Sequence, residues 1–123
     1  MAFREVRQPI VLQPQSRLDV EGGIVLQQQI AAIASETSDL WMIDMSNVEF
    51  IDSSGLVALV TGLNVAHQHQ CRLMLCNLRA AVRLIFEITQ LDQVFDIVEG
   101  NDLPLTVQTF EQKSVVEPGL VAA

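Results

Sequence analysis

Two short, nearly continuous apolar runs constrain this chain more than any other feature: Leu40-Trp41-Met42-Ile43-Asp44-Met45 and Cys71-Arg72-Leu73-Met74-Leu75-Cys76. Runs of this length, without the alternation of a half-exposed strand, are what parallel strands covered on both faces look like in sequence. The segments around them turn helical, so strands and helices alternate at the intervals of α/β architecture. No internal repeat or low-complexity stretch breaks the alternation. The expected fold is α/β, a mixed and mostly parallel sheet with helices packed against it. Residues 3–6 and 10–13 are further strand candidates, separated by Gln8-Pro9. So tight a connection favours an antiparallel pair at the N-terminal edge, where Pro9 and Pro14 are tolerated.

The helical segments follow from the 3.6-residue period. Between about residues 19 and 36, Val20, Ile24, Gln27, Ile30, Ile33 and Ala34 fall on one stripe, and Gln28, Gln29 and Glu36 lie elsewhere. Gly22 and Gly23 weaken the first turn. A loop is expected over 46–50, then a second helix from about 54 to 70 with Leu56, Leu59, Val60 and Leu63 inward. Asn77 is a good N-cap for a third helix, in which Ala81, Val82, Ile85 and Ile88 pack inward while Arg79 and Arg83 face water. That helix ends near Thr89, and residues 94–98 form the last strand. Residues 102–111 take no assignment. One domain over residues 1–111 and a flexible tail over 112–123, which contains Pro118-Gly119, complete the expected organisation.

Composition removes several function classes. The 123 residues are half apolar, enough for one core and against disorder over most of the length. Seven Lys and Arg against fifteen Asp and Glu leave a net charge of -8, the opposite of the basic footprint that nucleic acid requires. No apolar run approaches the roughly 20 residues of a spanning helix, and the charge disfavours an anionic membrane surface. The N-terminal residues, Met-Ala-Phe-Arg-Glu-Val-Arg, carry charges where a secretory signal is apolar, so a cytoplasmic location is expected. Cys71 and Cys76 stand five apart on one strand and therefore point to opposite faces; they read as small core residues in a reducing compartment.

The stretch that carries chemistry runs from Asp44 to Leu56, from the carboxyl end of a buried strand into a helix start, where ligands gather in open α/β sheets. Asp52, Ser53 and Ser54 all suit a cap, and Gly55 removes a Cβ where another backbone or a phosphate can approach. Free N–H groups and the positive end of the helix would stabilise a phosphate on Ser53 or Ser54. Ordinary capping explains the same four residues, and spacing alone does not separate the two readings.

This segment resembles the signature of the STAS domain of anti-sigma factor antagonists. The matching residues are Ile43-Asp44-Met45-Ser46 and Phe50-Ile51-Asp52-Ser53-Ser54-Gly55-Leu56. Arg17-Leu18-Asp19-Val20 looks like the family's turn before its first helix, with Ser16 where the family usually has Gly. Residues 73–78 with Val82, Ile85 and Phe86 resemble the later strand and helix, and residues 91–95 the final turn. The resemblance covers roughly residues 3–110 and implies a STAS-like sheet.

It also implies a function. Ser53 would accept a phosphate, with Ser54 second, from a serine kinase of ATPase-type fold that is also an anti-sigma factor. The unphosphorylated domain would bind that kinase, phosphorylation would break the complex, and a serine phosphatase would reset it. Asp52 would cap the helix and position the acceptor, Gly55 would keep the approach open, and Leu56 would belong with them to the partner-binding surface. Asp19 would form part of the docking rim. On this resemblance the chain is a binding protein rather than an enzyme, with no cofactor. A non-switching STAS adaptor of a lipid- or anion-transport system is the alternative.

Other constellations are weaker. His67, His69 and Cys71 offer three ligand types, but the two histidines do not share a helix face, and no fourth ligand follows at a recognisable spacing. A hydrolase using Ser53 and either histidine lacks a Gly-x-Ser-x-Gly elbow, and about four helical turns, over ~20 Å, separate the groups. Neither a dinucleotide fingerprint nor a P-loop occurs.

Overall fold

The computed structural model describes residues 8–36 and 38–98. Among the described residues six strands and three helices follow one another: β1 (Ile10–Leu12), β2 (Ser16–Leu18), α1 (Val20–Ile33), β3 (Leu40–Asp44), β4 (Val48–Ile51), α2 (Ser53–Gln68), β5 (Arg72–Cys76), α3 (Ala80–Thr89) and β6 (Asp96–Val98). A 3-10 turn, Leu91–Gln93, joins α3 to β6. The main sheet runs β1-β3-β5-β6 and a second, two-stranded sheet pairs β2 with β4. Both apolar runs are interior strands, as their composition requires. Every strand pair among the described residues is parallel. The expected antiparallel edge pair needs residues 3–6, which lie outside the described residues, as do 102–111 and the tail.

Side chains alternate across the sheet. Trp41, Ile43, Leu73 and Leu75 point to the face that carries the helices, where they join Leu26, Ile30, Leu59, Leu63, Val82 and Phe86 in one core. Met42, Met74 and Cys76 form a separate cluster, while Cys71 belongs to the first. The two thiols are thus on opposite faces, and burial pushes the Cys71 thiol up to about 11.

Several local expectations are corrected. In α1 the buried residues are Gly23, Leu26 and Ile30, whereas Val20 and Ile24 are more than half exposed and Gln27 is exposed. The glycines choose the face. A Cβ on Gly23 would stand 3.2 Å from the Ala58 Cβ, so α1 meets α2 along its smallest residue and turns Leu26 and Ile30 inward. In α2, Gly55, Ala58, Leu59, Gly62, Leu63 and Ala66 are buried, and Leu56 and Val60 pack against the core edge. The expected loop over 46–50 is only the turn at Ser46 and Asn47; Val48–Ile51 forms β4. Its burial order, in-out-out-in, lacks the period of two, so a strand there is invisible without its partner β2.

Asn77 is not the cap of α3. It adopts φ 61°, and its side chain donates to Asp44 Oδ1 at 3.1 Å; Arg79 holds the cap position without a side-chain capping bond. On α3, Val82 and Phe86 are buried and Ile85 partly so, whereas Ala81 is exposed and Ile88 is 70% exposed. Phe86 meets Phe95 edge-on at 5.8 Å, which fixes the inward face. Arg79 is exposed as expected, but Arg83 is half-buried. The last strand is the shorter Asp96–Val98. Ser16 adopts φ 56°, a left-handed conformation that glycine takes without cost, which accounts for the usual glycine at this turn.

Candidate functional site

Strands β2 and β4 end side by side, with Leu18 opposite Ile51, both buried. Each is followed at once by an aspartate and a helix. Asp52 caps α2: its Oδ1 accepts from the Gly55 N–H at 3.1 Å, and its backbone carbonyl accepts from Leu56 N–H at 3.0 Å. Asp19 caps α1 in the same way, with Oδ1 accepting from Gly22 N–H at 3.0 Å. A Cβ on Gly55 would land on the Leu18 carbonyl oxygen, so only glycine lets α2 begin this close to β2. The Asp52 N–H donates to that same carbonyl at 3.2 Å, tying the two strand ends together.

Ser53 is the first residue of α2 and is exposed. Ser54 is half-buried, with its carbonyl turned toward Gly23 of α1. The N–H groups of Ser53 and Ser54 belong to the first helical turn and have no place in the helical ladder. An anion on Ser53 would therefore meet free donors and the positive end of a sixteen-residue helix. Leu56 is half-buried one turn further along. The structure thus gathers Asp52, Ser53, Ser54, Gly55 and Leu56 at one helix start, with Asp19 at the head of the neighbouring helix.

The first junction carries a basic group. Arg17 Nε donates to Asp19 Oδ2 at 3.3 Å, and its guanidinium lies 4.3 Å from the centre of the Phe50 ring. The Gly22 N–H, with Arg17 adding a hydrogen bond and charge, holds the Asp19 carboxyl below the ordinary carboxylate value. Sequence reasoning missed this stacked pair, because it placed residue 50 in a loop. It also missed the apolar rim. Val20, next to Asp19, and Val57, one turn after Ser53, are 58% and 60% exposed. Their signal was an excess: α1 and α2 hold more apolar residues than one face can bury.

Asp44 has a different task. It accepts from Gln13 Nε2 at 3.0 Å, Ser46 N–H at 3.0 Å and Asn77 Nδ2 at 3.1 Å, and so ties together the chain at the ends of β1, β3 and β5. His69 serves its own helix end: its Nδ1–H donates to the Val65 carbonyl at 2.9 Å. Among the described residues no group of three or more His, Cys, Asp or Glu comes together to hold a metal. No described helix is long and apolar enough to cross a membrane.

The family model described as "Mlab, STAS domain" matches residues 1–99. The chain belongs to the STAS domain family. Solved structures agree on the fold. An anti-sigma factor antagonist from Mycobacterium paratuberculosis superposes with TM-score 0.68 at 21% identity, over 86% of this chain and 88% of that one. The anti-sigma factor antagonist SpoIIAA in its unphosphorylated form gives 0.61 at 14%, over 91% and 96%. The STAS domain of a SulP transporter from Vibrio cholerae gives 0.62 at 12%, over 89% of each. The same fold thus occurs in anti-sigma factor antagonists and in a transporter domain, and residues rather than fold must separate the two.

Proposed function

We propose that this STAS domain is a phosphorylation-switched binding protein of the anti-sigma factor antagonist type. Unphosphorylated, it docks on a serine kinase that is also an anti-sigma factor, through the surface around Ser53. Phosphorylation of Ser53 releases the partner, and a serine phosphatase restores binding. The observation that carries this reading is the position of Ser53: exposed, first in the helix, and directly after a cap already supplied by Asp52. The Ser53 hydroxyl is not needed for capping, since Asp52 accepts from Gly55 N–H. It is free to react, and Ser54 is less accessible.

The physics of release is electrostatic. A phosphate adds about -1.5 to -2 charges at pH 7, on a chain already at -8, beside the Asp52 carboxylate and the exposed Val57. A partner packed against this surface would have to desolvate that charge. The exposed Val20 and Val57 provide apolar contact, and Asp19 with Arg17 the polar rim. The location that suits such a partner is the cytoplasm, and the role requires neither catalysis nor a cofactor.

The transporter-adaptor reading draws on the likeness to the SulP domain. It leaves the exposed Ser53 without a task. Incubation with the candidate kinase and ATP, followed by tandem mass spectrometry, should place one phosphate on Ser53 and none on Ser53→Ala. Modification confined to Ser46 or Ser54, or none at all, would overturn the switch and favour the adaptor.

A further inference from the structure

Helix α3 buries one apolar face and leaves a second one in water. Val82 and Phe86 are buried, with Ile85 partly so. On the far side Ala81, Leu84 and Ile88 follow at intervals of three and four residues, which stacks them along one line. Leu84 is 54% and Ile88 70% exposed, and Ala81 is exposed too. Val94, just past the 3-10 turn, is 55% exposed. A surface helix that packs on its core alone carries polar residues on this side. Spacing of three and four is instead that of a seam between paired helices, and here the seam is open. The charges of α3 say what fits it. A helix dipole favours acids at the start and bases at the end. Here Arg79 and Arg83 stand at the start, Glu87 in the last turn and Asp92 just beyond. Arg79 also holds the cap position with no side-chain capping bond. Within one chain this placement opposes the dipole at both ends. Beside an antiparallel copy it is favourable at both, because each basic start then faces an acidic end.

We propose that the occupant of this seam is a second copy of the chain, its α3 packed antiparallel to the first about a two-fold axis near Leu84. Such an axis puts Leu84 beside Leu84 of the second copy and Ala81 opposite its Ile88, a small residue against a large one, twice over. Arg79 then lies level with the stretch between Glu87 and Asp92 of that copy. Its Nε–H donates to the Ser46 carbonyl at 2.8 Å, which anchors the stem and leaves the outer guanidinium of an exposed residue to meet a carboxylate. A parallel pair would set Arg79 against Arg79 and Glu87 against Glu87. Ten residues of helix are only about 15 Å long, so the seam is short and the dimer weak. None of these residues belongs to the Ser53 junction, so the pairing stands apart from the switch.

Analytical ultracentrifugation of the full-length chain over a range of concentrations tests this. A monomer–dimer equilibrium is expected, and Ile88→Glu should weaken it at least tenfold. Leu84→Gln serves as a second variant, and circular dichroism checks that both keep the fold. Arg79→Glu and Glu87→Arg should each weaken the dimer about threefold, as pairs at an exposed rim do. An equimolar mixture of these two variants should regain wild-type strength, because each mixed dimer has one native Arg–Glu contact and one with its signs reversed. A monomer at every concentration up to ~1 mM overturns the proposal. So does a dimer indifferent to both Ile88→Glu and Leu84→Gln, which forms through another surface. A dimer that those variants break but that the mixture of charge variants fails to restore overturns the antiparallel arrangement.

Discussion

The two aspartate-capped junctions, Leu18-Asp19-Val20-Glu21-Gly22 and Ile51-Asp52-Ser53-Ser54-Gly55, are built alike and decorated differently. Each strand ends in a buried aliphatic residue, each aspartate accepts from the N–H of the glycine three residues on, and each glycine has a backbone carbonyl where a Cβ would go. The shared part is structural, since it recurs where no hydroxyl is present. What differs is the residue after the cap: an exposed valine on α1, an exposed serine on α2. Capping and phosphate acceptance therefore do not compete as explanations of Asp-Ser-Ser-Gly. Asp52 does the first and leaves Ser53 for the second.

The largest expected effect tests whether the junctions are equally rigid. Gly55 is buried and its Cβ would meet the Leu18 carbonyl and, at 2.8 Å, the Leu18 Cβ, both fixed by the core. Gly22 is half-buried and would meet the backbone carbonyl of Arg17, an exposed residue, with no side chain nearer than the Asp19 carboxylate at 3.5 Å. Gly55→Ala should cost about 3 kcal/mol in urea unfolding, and Gly22→Ala clearly less. Equal losses would show that the first junction is as tightly held as the second.

The next effect separates a switched surface from a switched fold. Phosphorylation of Ser53 should weaken the kinase complex at least tenfold, about 1.4 kcal/mol, by calorimetric titration. The melting temperature should move by only a few degrees, because attraction to the helix N-terminus, about 0.3–1 kcal/mol, opposes repulsion by Asp52. Ser53→Ala should keep both fold and partner. A large loss of stability, or amide shifts spread across the sheet, would place the switch in the fold.

What the sequence made legible follows from the range of the forces involved. The runs at Leu40 and Cys71 declare buried strands because their whole environment is apolar, and Asp52-Ser53-Ser54-Gly55 declares a cap because capping is local. Cys71 and Cys76 fall on opposite faces by period alone. The strand Val48–Ile51 was hidden because it is defined by its pairing with Ser16–Leu18, more than thirty residues away. The inward face of α1 depends on how closely Gly23 meets Ala58, and Asn77 turns away from capping because Asp44 is within reach. These are tertiary choices, and local periodicity carries no trace of them.

A cap deletion compares the junctions at intermediate scale. Asp52→Ala leaves the Gly55 N–H unpaired in a buried position and should cost about 1 kcal/mol. Asp52→Asn, which keeps an acceptor, should recover most of it. If Asn is no better than Ala, the charge of Asp52 rather than its hydrogen bond supports the helix.

The smallest effect belongs to Asp19 and has a definite sign. Its carboxyl is held below the ordinary 3.8, chiefly by the Gly22 N–H and next by Arg17, against a smaller opposing pull of desolvation than these together. A carboxyl whose folded pKa is depressed stabilises the fold at all pH values above its unfolded pKa, near 3.9, and loses that contribution as pH falls through the folded value. Asp19→Asn keeps the capping oxygen but removes the ionised form that Arg17 and the helix end favour. Wild type should therefore have the higher urea midpoint at pH 7, and the gap should close as pH drops below about 4. The pair is exposed to solvent, so added salt should narrow the gap at pH 7 as well. A gap that persists unchanged at low pH would mean that the charge on Asp19 is idle, and that the first junction rests on the hydrogen bond from the Gly22 N–H alone.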